Sequence, residues 1–202
     1  VPYSGSRKEL EHVLTHELTH IFTFSMWYGG FWKTGKLMFS FFIPLLVQEG
    51  LAEYCSKEWD SDDDIVIRDA VIHNRLVPLR DLHGFSHMEG HDVWLAYKEA
   101  HSALEFMAER YGTEKVPHLI KEIGNATDID ASLKKVIGCG LARFQKEWDE
   151  YLDNKYKQQT EGKIAPEKYA KRITQKQEFN YCPRFTDNGK RIAYMSDRYG
   201  YN

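Results

Sequence analysis

Five residues, His16-Glu17-Leu18-Thr19-His20, constrain this chain more than any other stretch. Two histidines four apart act together only on an α-helix, where they stack one turn apart and both imidazoles reach one point. The surroundings support a helix from Ser6 to about Ser25. Ser6 is suited to cap it, with Glu9 as the capping-box partner three residues on. At about 100° per residue, Leu10, Val13, Leu14, Ile21 and Phe24 fall into one apolar stripe. Glu17 lies inside that stripe. A buried, unpaired carboxylate costs on the order of several kcal/mol, so Glu17 is expected to face a cation or a proton partner.

Beyond this helix the pattern stays helical for most of the 202 residues. Residues 27–42, rich in Gly, Trp and Phe, read as a packed loop. Pro44 opens a second helix to about Lys57. Ser61 is expected to cap a third, with Asp62, Asp63 and Asp64 in the first turn where the helix dipole favours them, running to about Arg75. Val77 to Gly84 is a connector. A long helix is expected from about His91 to Tyr111, stopped by Gly112, and shorter ones at 113–123, 130–137 and 141–156. Polar residues from Lys155 to Lys176 read as a linker or exposed helix. The period then changes: Pro183 to Ser196 alternates about Asn188-Gly189, a hairpin signal. The expected architecture is mainly α, with a short C-terminal β-hairpin. Its parts are a domain at 1–156, a linker at 157–179 and a β fragment at 180–202.

Composition narrows the function classes. Hydrophobic residues at 42% allow a sizeable core, and a net charge of −3 gives no general attraction to nucleic acid or anionic lipid. The longest apolar run, Leu37 to Val47, is interrupted by Ser40 and Pro44 and is too short to span a bilayer. Cys55, Cys139 and Cys182 are odd in number and form no CxxC pair, which argues against both a disulfide framework and a cysteine zinc site.

The two histidines need a third ligand. The helix after Pro44 supplies one in Val47-Gln-Glu-Gly-Leu-Ala-Glu-Tyr54, where Glu49 and Glu53 share a face. Glu49 is assigned to the metal. Glu53 is assigned to a histidine, because metal-bound imidazoles usually donate their other N–H to a carboxylate. Zinc suits two imidazoles, one carboxylate and an open position. His12 is eight residues from His20, about 12 Å along the axis, and is read as lying outside that ion's ligands. His83, His87 and His91 are also four apart, but Gly84 and Gly90 favour a solvated loop there.

The HELTH motif followed by Pro44-Leu-Leu-Val-Gln-Glu-Gly-Leu-Ala-Glu-Tyr54 resembles the gluzincin metallopeptidases, specifically the bacterial peptidase MA-like group. Arg68 to Leu82, Ala96 to Gly112 and Leu141 to Trp148 resemble later segments of that group, so the likeness covers about residues 1–156. It implies a zincin-like helical domain with one Zn2+ on His16, His20 and Glu49, Glu17 as general base, and Tyr97 stabilising the oxyanion. It implies hydrolysis of a peptide or protein substrate. Gluzincins usually carry a β-sheet before the active helix. Only fifteen residues precede His16, so that sheet is expected to be missing from this chain. Pro183 to Gly200 resembles a strand pair of a TolB-type β-propeller blade, which implies a longer bacterial protein in the periplasm or outside the cell. The rival reading is a non-catalytic zinc scaffold or binding module whose propeller recruits a protein partner.

Overall fold

A computed structural model describes residues 6–28, 43–84, 88, 90–126, 128–164, 168–174 and 180–196. These residues divide into two compact units, Val1–Glu161 and Gly162–Asn202. Most of the segment read as a packed loop, 29–42, lies outside the described residues, as does His87.

The first unit contains seven helices among the described residues: α1 (Arg7–Tyr28), α2 (Leu45–Ser56), α3 (Ser61–Ile72), α4 (Gly90–Tyr111), α5 (Lys115–Ala126), α6 (Ile129–Ile137) and α7 (Leu141–Thr160). The expected caps explain several ends. The Ser6 hydroxyl accepts from the Glu9 amide at 3.4 Å. Asp60, not Ser61, caps α3, accepting from the Asp62 and Asp63 amides while Asp63 answers the Asp60 amide. A carboxylate one residue earlier reaches the same free amides with a full charge. Gly112 stops α4 with φ +110°, and Gly138 stops α6 with φ +78°, both in the region that favours glycine.

Helix α4 is the spine of this unit. Ala96, Ala100 and Ala103 are fully buried along it, and α2 packs on it most extensively. Gly50 explains how closely: a Cβ there would lie 2.9 Å from the Ala100 carbonyl oxygen. Helix α1 packs on α2 and, at its far end, on α5. There Trp27 is buried and its indole N–H donates to the Ile120 carbonyl at 2.8 Å. Helices α3 and α7 close the other side, where Trp148 donates to the Ser102 hydroxyl and Tyr156 to Asp64.

Most of the apolar stripe drawn on α1 does not face this core: Phe24 packs against it and Val13 is half-buried, but the rest turns outward. Leu10, Leu14 and Ile21 are exposed, as are Leu18, Phe22 and Met26. What α1 turns toward α2 is the row His12, His16, His20, with Thr23 and Trp27 buried beyond it. The reason is electrostatic: α2 presents two carboxylates, and imidazoles answer them better than leucines can.

The second unit holds an antiparallel pair, β1 (Asn180–Thr186) and β2 (Arg191–Ser196), in the register Arg184↔Ala193 and Phe185↔Ile192. Asp187–Gly189 make the turn, with positive φ at all three residues. This is the hairpin expected around Asn188-Gly189.

Candidate metal centre

The site is assembled from one face of α1 and one face of α2. His16, His20 and Glu49 offer one ligand atom each, and the three atoms lie within 4.8 Å of one another. Glu49 Oε2 is 3.2 Å from His16 Nε2 and 3.3 Å from His20 Nε2. Donors placed tetrahedrally about zinc at roughly 2.0–2.2 Å are about 3.3–3.6 Å apart, so these two separations come close to the short edge of such a shell. All three side chains are mostly covered.

Protonation tells the same story. His16 has a carboxylate at each nitrogen: Glu49 at Nε2 and Glu53 Oε1 at Nδ1, both at 3.2 Å. A neutral imidazole has one N–H and can donate to only one of them. The second contact therefore needs either another proton or a cation. With protons alone, burial lowers the His16 pKa, but hydrogen bonds to Glu49 and Glu53 outweigh it and push the pKa up to about 9. Burial likewise raises Glu49, and hydrogen bonds from His16 and His20 outweigh it, holding Glu49 down at about 2. Glu53 also sits well below the usual range, because hydrogen bonds from His16 and Lys98 outweigh its burial. Two carboxylates and three imidazoles thus meet between α1 and α2, and a divalent ion fits the donors of His16, His20 and Glu49.

Glu17 corrects an expectation. It is exposed, not buried in an apolar stripe, so no desolvation argument for a cation rests on it. In helical projection it lies about 60° beyond His20, at the rim of the His16–His20 face. Tyr97, on α4, is half-buried with its ring centroid 6.2 Å from that of His16. Burial raises the Tyr97 pKa well above its usual value, and the charge of Glu49 and a hydrogen bond with Glu49 raise it further. The phenol therefore keeps its proton. His12 Nε2 lies 3.4 Å from Glu53 Oε1, so His12, His16 and Glu53 form a second group of close donors.

The family model of the Peptidase MA superfamily matches residues 8–154, a span that contains all of these groups. The chain belongs to the Peptidase MA superfamily. Neither the curated proteins nor the solved structures compared with it give a match. The matched span of this Peptidase MA chain runs from the first helix to within α7, so the whole cluster sits inside a peptidase domain. No described helix is long and apolar enough to cross a membrane.

Behind this cluster lies a buried charge chain that the sequence did not single out. Lys98 Nζ is 2.8 Å from Glu53 Oε2 and 3.0 Å from Asp63 Oδ1, and Lys57 Nζ is 2.7 Å from Asp63 Oδ2. One signal was present. Lys98 falls in phase with the buried Leu95 and Ser102 of α4, and Asp63 with Ile67 and Ala70 of α3. A charged residue at a core position needs a partner across the interface.

Proposed function

We propose that this domain is a zinc-dependent peptidase of the gluzincin type, holding one Zn2+ through His16, His20 and Glu49. The observation that supports this most is the carboxylate of Glu49 between two imidazole nitrogens at 3.2 and 3.3 Å, inside a peptidase-family span. When bound there, zinc supplies a Lewis acid that lowers a water's pKa toward ~7 and polarises a carbonyl.

The chain's own groups would do the rest. Glu17, exposed at the rim of the ligand face, takes the proton from the attacking water and returns it to the leaving amine. Tyr97 keeps its phenolic proton, and on substrate binding would turn it from Glu49 to the oxygen that gains charge. Glu53 accepts from His16 Nδ1, which leaves the Nε2 lone pair directed at the ion. The substrate is a peptide or protein. By the resemblance of Pro183 to Gly200 to a TolB-type blade, the hairpin belongs to a propeller that engages a protein partner, and the protein works in the periplasm or outside the cell.

The test is direct. Purified protein should retain about one zinc per chain and cleave members of a peptide library. Glu17→Gln should keep the zinc and lose on the order of 10²–10⁴-fold in rate. Full zinc occupancy with no cleavage would identify a scaffold instead of an enzyme, and an unchanged rate in Glu17→Gln would exclude Glu17 as the general base.

A further inference from the structure

Two overlapping sets of donors meet on His16. Through Nε2 it belongs with His20 and Glu49; through Nδ1 it belongs with His12 and Glu53. A neutral imidazole has a lone pair on one nitrogen and a proton on the other, so it can serve only one set as a ligand. His12 and His20 are both on α1, and both carboxylates are on α2. Within these two helices the sets are alike in make-up, two imidazoles and one carboxylate each.

The difference comes from α4. Glu53 Oε2 accepts from Lys98 Nζ at 2.8 Å, leaving Oε1 for the histidines. Lys98 is only 2% exposed, and every side of its ammonium is occupied: Glu53, Asp63 at 3.0 Å and the face of Trp94 at 4.5 Å. Asp63 in turn is held by Lys57 and by its place in the α3 capping box. Lys98 and Lys57 thus face Glu53 and Asp63, with Asp60 also on Lys57 at 3.1 Å. Of the two α2 carboxylates, Glu49 alone has no ammonium partner among the described residues.

We propose that Lys98 is the positioning residue that directs the metal to His16, His20 and Glu49 and keeps it from His12, His16 and Glu53. Its ammonium occupies one oxygen of Glu53 and repels a second cation from the other. Glu53 is thereby left to accept the Nδ1 proton of His16, and the Nε2 lone pair turns toward Glu49 and His20. This inference rests on the metallopeptidase reading above.

Cobalt(II) titrations monitored by visible absorption test it, using wild type, Lys98→Met, Lys98→Arg and Lys57→Met, with a thermal melt of each metal-free protein. Wild type should bind one Co2+. Lys98→Met should bind about 10–100-fold more weakly and with an altered absorption band, the size of effect expected when a ligand's hydrogen-bond partner loses its orientation. Lys98→Arg, which keeps the cation, should recover wild-type affinity to within a few-fold. Lys57→Met loosens the same buried chain without touching Glu53; it should melt lower yet keep the wild-type affinity and band. If Lys98→Met does not fold, Lys98→Met/Asp63→Asn strands one buried carboxylate fewer and is read the same way. Wild-type affinity and band in the Lys98 variant would overturn the proposal. So would an equal loss of affinity in Lys57→Met, which would make Lys98 a matter of packing alone. Absence of Co2+ binding by the wild type is a different failure, because it removes the metallopeptidase reading itself.

Discussion

Two buried ionisable side chains outside the candidate metal centre tie the stability of the fold to pH. Glu99 is fully buried on α4, with Oε1 accepting from the Val77 amide at 2.9 Å and Oε2 without a hydrogen-bond partner. Burial pushes its pKa from 4.5 up to about 8. The unfolded chain therefore releases this proton first. The stability Glu99 contributes is complete below about pH 4.5 and is lost as pH rises through about 8. His101 is the opposite case: burial lowers it from 6.5 to about 4. Its contribution is present above about pH 6.5 and is lost as pH falls through about 4. Glu99→Gln keeps an acceptor for the Val77 amide and cannot ionise. It should raise the thermal midpoint at pH 8–9 by on the order of a few degrees, with little change near pH 4. Paired melts of the two proteins across pH check this, and parallel curves would contradict it.

At the scale of elements, the site depends on how closely α2 approaches α4. Glu49, Gly50 and Glu53 are on one short helix, and Gly50 is where its backbone meets Ala100. In Gly50→Ala the new methyl would crowd that carbonyl. Better helix propensity returns up to about 1 kcal/mol, against about 1–3 kcal/mol for overpacking. The net expectation is a less stable protein by urea unfolding. Because α2 must shift, Glu49 and Glu53 move with it, and cation affinity should fall as well. A second contact of this kind holds the far end of α1. Trp27 donates to Ile120, and its ring fills the space above Gly124, where a Cβ would lie 2.3 Å from Trp27 Cδ1. Trp27→Ala should cost about 3–5 kcal/mol, in the range of large aromatic truncations in a core, as read by denaturant unfolding.

At the scale of the molecule, the helical unit contains the entire cluster, and the hairpin unit contains none of it. A chain ended after Glu161 should therefore keep its helical circular dichroism, its melting midpoint and its cation affinity. Loss of folding on that truncation would show that the helical unit depends on the segment beyond it. The hairpin by itself is open on both faces, with Phe185 and Met195 exposed. Isolated two-stranded hairpins are marginal in water, so it contributes little cooperative stability.

Local rules made much of this legible beforehand. Periodicity, caps and turn residues gave the seven helices to within a few residues, and Asn188-Gly189 gave the hairpin, because those signals act over four to seven neighbours. The i, i+4 spacing likewise put His16 with His20, and Glu49 with Glu53, on shared faces. What no local rule could decide is which face of α1 turns inward. Its aliphatic stripe looked like the natural choice, yet Leu14 and Ile21 are exposed and the histidines are covered. That outcome depends on the two carboxylates of α2, some thirty residues away, and on the close α2–α4 contact that brings Lys98 against Glu53. The sequence alone determined which groups each helix carries. Only the tertiary structure decided which charges meet, because burial makes a carboxylate's partner matter more than the hydrophobicity of its neighbours.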